Sequence, residues 1–507
     1  MARPHLARFP LVVEHVRLHA RRRPDHVAVL ASGRPVTYAM LERDLTAMTA
    51  ALAAFGLPRG SLVAVGVEDM YVHLLLIFGF EALGITTGSF LPSEEADCHG
   101  LLAVADLTLA VAPVPDAACR QFFPVSEDWV AEALARPAPR LDFPRAAGED
   151  IVRVARSSGT TGRPKLMNIT HRMLNARMTG WMAGRMTANA RILAAMNFSV
   201  NSIYQRCATG LRVGATFMFD SAGRLSLPEI LLQTNPTQMS LLPFHVQKML
   251  DALTDWHDLP RPLLPGLQLT AMGAKLPAAD RQRAEHYLTG WIREGYGANE
   301  VGGICEFDRA GNGHVYPYAT IEVVGQDGQL AAPGETGELR MRTAGMVGGY
   351  RDDPAATAQM FRDGWFYPGD LGMLTEAGKL RLVGRRLDVL IVGGSKRGCA
   401  DLESRIQACA PRSDIALLQQ DGGSQNELVH VCVATPAAID LDRLARTIEP
   451  FMHCRFTMRA VAAIPRTESG KIRRAVLHDT LFGQPAPAQP APTRTTPAKE
   501  ALLTTGD

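Results

Sequence analysis

From about residue 36 to about residue 330, helical stretches alternate with short apolar runs, and this alternation most limits the folds open to the chain. Leu41, Leu45, Met48, Leu52 and Phe55 are spaced by four, three, four and three residues, which puts them on one face of a helix over 36–56. Leu62-Val-Ala-Val-Gly66 follows, a short apolar run of the kind that forms a parallel strand covered on both faces. Repeats of this pair predict α/β architecture with covered parallel sheets. The run from Leu74 to Phe80 stops at Glu81. It is too short to span a bilayer, so it reads as a core helix and not as a transmembrane segment.

The texture changes from residue 321 to 382. Ile321-Glu-Val-Val, Gly337-Glu-Leu-Arg-Met-Arg342 and Lys379-Leu-Arg-Leu-Val383 are short runs separated by Gly-rich turns, a pattern that predicts a small antiparallel β subdomain. Strand and helix signals resume over 385–482, enough for a small α+β domain. The tail 483–507 is rich in Pro, Ala and Thr without apolar periodicity, and is expected to be disordered. The division expected is therefore 1–384, 385–482 and the tail.

A chain of 507 residues that is 47% hydrophobic can bury the cores of at least two domains. Lys plus Arg number 53 against 51 Asp plus Glu. That balance argues against a broad nucleic-acid surface, and no nucleic-acid partner is expected. The eight cysteines are scattered with no CxxC spacing. They fit neither a disulfide framework nor a zinc site, and suit a reducing cytoplasm. The first ten residues have basic side chains but no apolar segment after them, so no signal peptide is read there.

The most informative stretch is Ser157, Ser158, Gly159, Thr160, Thr161, Gly162, Arg163, Pro164 and Lys165. Glycines let backbone amides approach an anion, hydroxyls donate hydrogen bonds and Lys165 adds charge. The spacing is not that of a Walker A loop. A Ser/Gly/Thr stretch of this composition serves equally well as a polar turn; the particular order of residues is far more specific.

On that run the chain resembles the adenylate-forming superfamily of acyl-CoA synthetases, aryl-acid ligases, peptide-synthetase adenylation domains and firefly luciferase. The resemblance extends from about residue 10 to about 482, with motifs in the same order. It implies that 157–165 grips the ATP pyrophosphate. Tyr296-Gly297-Ala298-Asn299-Glu300 resembles the family's Tyr-Gly-x-Thr-Glu. There Glu300 would help bind Mg²⁺, a task suited to a hard oxygen ligand, and Tyr296 would pack on adenine. Asn299 stands where Thr is usual, and its amide can still donate to the α-phosphate. Asp370, in Gly364-Trp-Phe-Tyr-Pro-Gly-Asp370, would accept from both ribose hydroxyls, with Arg385 as companion.

Pro465-Arg-Thr-Glu-Ser-Gly-Lys471 resembles the family's C-terminal lysine loop, which makes Lys471 the expected catalytic lysine. Gly393 and Gly394 would let a thiol arm pass close to the backbone. The family hinge falls on Leu387, where Asp or Lys is usual. Leu166 and Arg156 also depart from common residues without removing a catalytic group.

By resemblance the acyl pocket involves Phe198, Asn201, Tyr204, Gly273 and Ala274. Peptide-synthetase domains place an Asp at the position of Asn201, and an Asn does not neutralise an ammonium, which disfavours an α-amino acid. Phe198, Val200, Ile203 and Tyr204 point to an apolar tail on the substrate; ordinary core packing accounts for them equally well. The resemblance implies ATP, Mg²⁺ and a thiol, with coenzyme A preferred because no carrier domain is appended. A carrier protein's phosphopantetheine is the alternative acceptor. Loss of activity in a nucleotide-binding regulatory homologue is the alternative of another class; Lys471, Glu300, Asp370 and Arg385 argue against it.

Overall fold

The computed structural model describes residues 9–92, 95–114, 119–137, 146–157, 164–182, 186–220, 226–273, 275–325, 327–385, 389–392, 395–411, 413–419, 428–435, 439–452, 455–466, 472–482 and 495–496. Helix Tyr38–Ala53 starts where the Thr37 hydroxyl accepts the Met40 amide at 3.2 Å. It turns Leu41, Leu45, Met48 and Leu52 inward as expected, while Phe55 lies past its end. Asp69 caps helix Met70–Ala82, its Oδ1 accepting the amides of Tyr71 at 2.8 Å and Val72 at 2.9 Å. Such a cap satisfies donors that a helix start leaves open. Every residue of this helix but Val72 is buried. The helix shares one apolar cluster with Val63 and Val65 of one sheet and Val29 and Phe217 of another. Each fully buried Leu or Phe contributes about 1.5–3 kcal/mol.

Leu62–Gly66 is a parallel strand between Thr86–Ser89 and Leu107–Ala110. Phe122–Pro124 extends that six-stranded sheet on one side, and Ile151–Arg156 with Leu166–Thr170 on the other. Only the last pair is antiparallel. Its two strands are joined by the 157–165 loop rather than by a helical crossover, and parallel strands need the crossover.

A second sheet has fifteen strands among the described residues. Val27–Ala31, Thr216–Phe219, Arg191–Leu193, Gln238–Leu241, Gln268–Met272 and Ile292–Ala298 run parallel. Ile292–Ala298 then folds back on Gly302–Phe307 as an antiparallel pair. Ala319–Val324, Gly337–Thr343 and Leu380–Arg385 form where strands were expected. They belong to the same sheet as the parallel strands, which they continue in antiparallel pairing. The hairpin carries the ladder across from the parallel strands: Gly302–Phe307 pairs Gly313–Val315, which pairs Leu380–Arg385.

Residues 399–482 hold apolar clusters of their own. Strands Asp414–Gln419, Leu428–Ala434 and Arg455–Ala460 pack with helices Cys399–Cys409, Leu441–Met452 and Arg474–Phe482, an α+β unit. Thr495–Thr496, inside the tail expected to be disordered, pairs with Phe456 and Thr457. No helix among the described residues is long and apolar enough to cross a membrane.

Candidate nucleotide and acid site

Two hydrogen bonds close the base of the 157–165 loop. The Ser157 amide donates to the Lys165 carbonyl at 2.7 Å, and the Lys165 amide donates to the Ser157 hydroxyl at 2.9 Å. Both cross from the end of Ile151–Arg156 to the start of Leu166–Thr170, so the sheet register sets where the loop begins and ends. Ser158, Gly159, Thr160, Thr161 and Gly162 lie outside the described residues, as do Ala274, Leu387, Gly393, Gly394 and Lys471.

The Lys165 ammonium stands 5.0 Å from the centre of the Tyr350 ring. The Tyr350 hydroxyl donates to Glu300 Oε1 at 2.9 Å, with both residues 8% exposed. One aromatic side chain therefore spaces a cation from a carboxylate. Glu300 and Asn299 form the turn of the hairpin between Ile292–Ala298 and Gly302–Phe307. The turn is held from behind by the Val347 amide, which donates to the Glu300 carbonyl at 2.8 Å. Arg177 donates to the carbonyls of Gly345 at 2.8 Å, Asn299 at 2.9 Å and Glu300 at 3.5 Å. Burial lowers its pKa to about 10, against the opposing pull of Glu300.

On the other side of the hairpin the Tyr296 hydroxyl donates to Asp370 Oδ2 at 2.5 Å. Asp370 is 8% exposed and lies opposite Arg385 in the antiparallel register. The Tyr296 ring is 6.3 Å from that of Phe307. Asp370 and Tyr296 come from distant parts of the sequence and meet because Asp370–Leu374 belongs to the sheet that the hairpin extends.

Asn299 also faces the start of helix Asn201–Val213. Its Nδ2 donates to the Arg156 carbonyl at 3.0 Å, and its Oδ1 accepts from Asn201 Nδ2 at 3.4 Å. A backbone carbonyl only accepts, so the Arg156 contact orients Asn299, and Asn299 in turn orients Asn201. Asn201 is 4% exposed, and its Oδ1 is a buried acceptor that no donor among the described residues reaches. Ser202 donates to the Met272 sulfur at 3.8 Å, which brings this helix start beside Gly273.

Two expected pocket residues are corrected. Phe198 and Tyr204 have no exposed surface. Phe198 stacks on Phe217 with ring centres 6.1 Å apart, and the Tyr204 hydroxyl donates to Glu81 at 2.9 Å. Ile203 is 1% exposed. Phe198 precedes helix Asn201–Val213, and Ile203 and Tyr204 lie further along it in its buried length, whereas Asn201 and Ser202 form its first residues. Tyr350 and Arg177 were missed in the sequence. The pair Gly348-Gly349 before Tyr350 is a signal for the first: Gly349 has φ +151°, and a Cβ there would lie 2.4 Å from Thr357 Cγ2. Arg177 carries no local signal, since its partners are three carbonyls from distant turns.

The family model for AMP-binding enzymes matches residues 16–351. Indoleacetate–CoA ligase of Aromatoleum aromaticum is 24% identical over 91% of this chain and 96% of that protein. Feruloyl-CoA synthase of Amycolatopsis is 28% identical over 77% of this chain and 83% of that protein. The structure of o-succinylbenzoate CoA synthetase from Bacillus subtilis, in complex with its acyl-adenylate intermediate, aligns with a TM-score of 0.77 at 19% identity. That alignment covers 92% of this chain and 98% of the other, and shows a shared fold. The family match spans well over half of the chain and takes in the loop strands, the Asn299–Glu300 turn and Tyr350: the chain belongs to the AMP-binding enzyme family.

Proposed function

We propose that this chain is an ATP-dependent acid–thiol ligase, which joins a carboxylic acid to AMP and then passes the acyl group to coenzyme A. The carrying observation is that one hairpin turn gathers groups suited to both ends of a nucleoside triphosphate. Asp370, beside Tyr296 and opposite Arg385, suits a ribose diol. Lys165 and Glu300, spaced by Tyr350, suit the phosphates.

In the first half-reaction a carboxylate oxygen of the acid bonds to the α-phosphorus. The bond from that phosphorus to the bridging oxygen breaks, and pyrophosphate leaves with the electron pair. The 157–165 loop holds the departing charge, and Lys471 offsets charge at the α-phosphate. In the second half a thiolate sulfur bonds to the acyl carbon and AMP leaves, with Gly393 and Gly394 beside the thiol arm. Among the described residues no group of three or more His, Cys, Asp or Glu could hold a metal on its own. A magnesium ion arriving with ATP needs only one or two carboxylates besides phosphate oxygens and water. Glu300 fits that role, and a bound ion would neutralise phosphate charge.

The acid is aromatic or aliphatic rather than an α-amino acid, because Asn201 presents a neutral amide where an ammonium would need a carboxylate. The unmatched Asn201 acceptor favours an acid that carries a neutral hydrogen-bond donor. Relatives named for indoleacetate and for feruloyl transfer support the aromatic class. The test is pyrophosphate release over a panel of aromatic and aliphatic acids, with and without coenzyme A, beside Lys471→Ala. Turnover with one acid class, lost in the variant, and acyl-CoA formed only with coenzyme A are expected. ATP binding without release for any acid would favour a non-catalytic homologue. Product formed only with a phosphopantetheinylated carrier protein would reassign the acceptor.

A further inference from the structure

Arg153 lies in the strand Ile151–Arg156, four residues before the start of the 157–165 loop, and is 2% exposed. Its Nη1 donates to Thr87 Oγ1 at 3.1 Å, and its Nη2 to Ser89 Oγ at 2.7 Å and to the Phe198 carbonyl at 2.8 Å. The guanidinium rests 4.4 Å from the Tyr204 ring centre. Glu81, 4% exposed, is tied to it through both neighbours: Oε1 accepts from Thr87 at 3.2 Å and from Tyr204 at 2.9 Å. Burying two ionisable groups is costly, and an apolar pair of similar volume packs as well or better. Packing alone therefore gives no reason for Arg153.

The geometry of its contacts supplies one. From Arg153 the path runs through its side chain to the Phe198 carbonyl, along the chain to Asn201, across to Asn299, and on to the Arg156 carbonyl. Arg156 is on the same strand as Arg153. The path is a closed ring that links the strand feeding the phosphate loop, the start of helix Asn201–Val213 and the Asn299 turn. The ring is closed on that strand twice, by the Arg153 guanidinium at the Phe198 carbonyl and by the Asn299 amide at the Arg156 carbonyl. A planar group with several fixed donors holds two segments at a set separation in a way an apolar side chain does not.

We infer that Arg153 is a positioning residue for the acid: by holding the Phe198 carbonyl it sets where Asn201 stands relative to the nucleotide site. This rests on the acid-activating reading above. Asp370 and Lys165 lie outside the ring, and Asn299 keeps its own bond to the Arg156 carbonyl when Arg153 is lost, so loss of Arg153 should weaken acid use and largely spare ATP.

The test compares Arg153→Met/Glu81→Gln with the parent. The glutamine keeps an acceptor for Thr87 and Tyr204, and both ionisable groups of the pair are removed together. Expected is a melting temperature near the parent's, an acid KM raised about tenfold to a hundredfold, and an ATP KM within about twofold. Arg153→Lys, which keeps a donor for Phe198, should recover part of the loss. A folded double variant with the parent's acid KM would overturn the inference. Equal losses for acid and ATP, in step with lowered melting temperature, would overturn it too by showing a structural role alone. A parent chain that binds ATP yet activates no acid would instead remove the acid-activating reading, and the inference with it.

Discussion

At the scale of single residues, Asp370 is held by the Tyr296 hydroxyl at 2.5 Å. Hydrogen bonds to charged groups contribute about 1.5–3 kcal/mol. Tyr296→Phe should therefore lower stability by about 1.5–3 kcal/mol and raise the KM for ATP by roughly tenfold, measured by calorimetry and pyrophosphate release. Glu81 gives a different signature. Burial pushes its pKa from 4.5 up to about 8, although Arg153 and the hydroxyls of Tyr204 and Thr87 pull the other way. Between those two values the folded chain holds more protons at this site than the unfolded chain. The stability it contributes is present below about 4.5 and is lost as pH rises towards 8. Glu81→Gln should flatten melting temperature against pH over that window. His73 acts with the opposite sign: burial lowers its pKa from 6.5 to about 3, so its contribution is lost as pH falls below 6.5. The glutamine variant should keep that acid-side loss.

At the scale of elements, the hairpin between Ile292–Ala298 and Gly302–Phe307 does most to assemble the site. It presents Asn299 and Glu300 at its turn and Tyr296 on its first strand. A Cβ at Gly297 would stand 2.3 Å from the Gly302 carbonyl oxygen and 2.9 Å from the Gly303 Cα. Backbone does not yield as a flexible side chain does, so Gly297→Ala should cost about 1–3 kcal/mol or more in stability. It should also abolish pyrophosphate release, and urea unfolding beside the activity assay checks both. Helix Tyr38–Ala53 and strand Leu62–Gly66 were legible because apolar spacing of about 3.6 residues and short apolar runs are local properties. The joining of the β subdomain to the parallel sheet was not. It depends on which strand pairs with which, and residues far apart in sequence decide that.

At the scale of the whole molecule, the apolar clusters of 399–482 draw, among the described residues, on none before that range. A fragment of residues 1–385 should unfold cooperatively and bind ATP, yet release no pyrophosphate with acid, because it lacks Lys471. Calorimetry and the release assay test the two halves of that expectation. The residue types suited to a nucleotide were readable in the sequence. Loops that bind phosphate need glycines, hydroxyls and a cation close together in one stretch, and Asp370 and Glu300 sit within short motifs of their own. What only the tertiary structure decided are the contacts between segments: Tyr350 between Lys165 and Glu300, Arg177 behind the turn, and Arg153 across the buried layer. It also decided that Phe198 and Tyr204 belong to the core while Asn201 faces Asn299. One helix turn separates these fates. The sequence carries the helical period, but where along the helix the Asn299 turn meets it is set by the packing of elements far away along the chain.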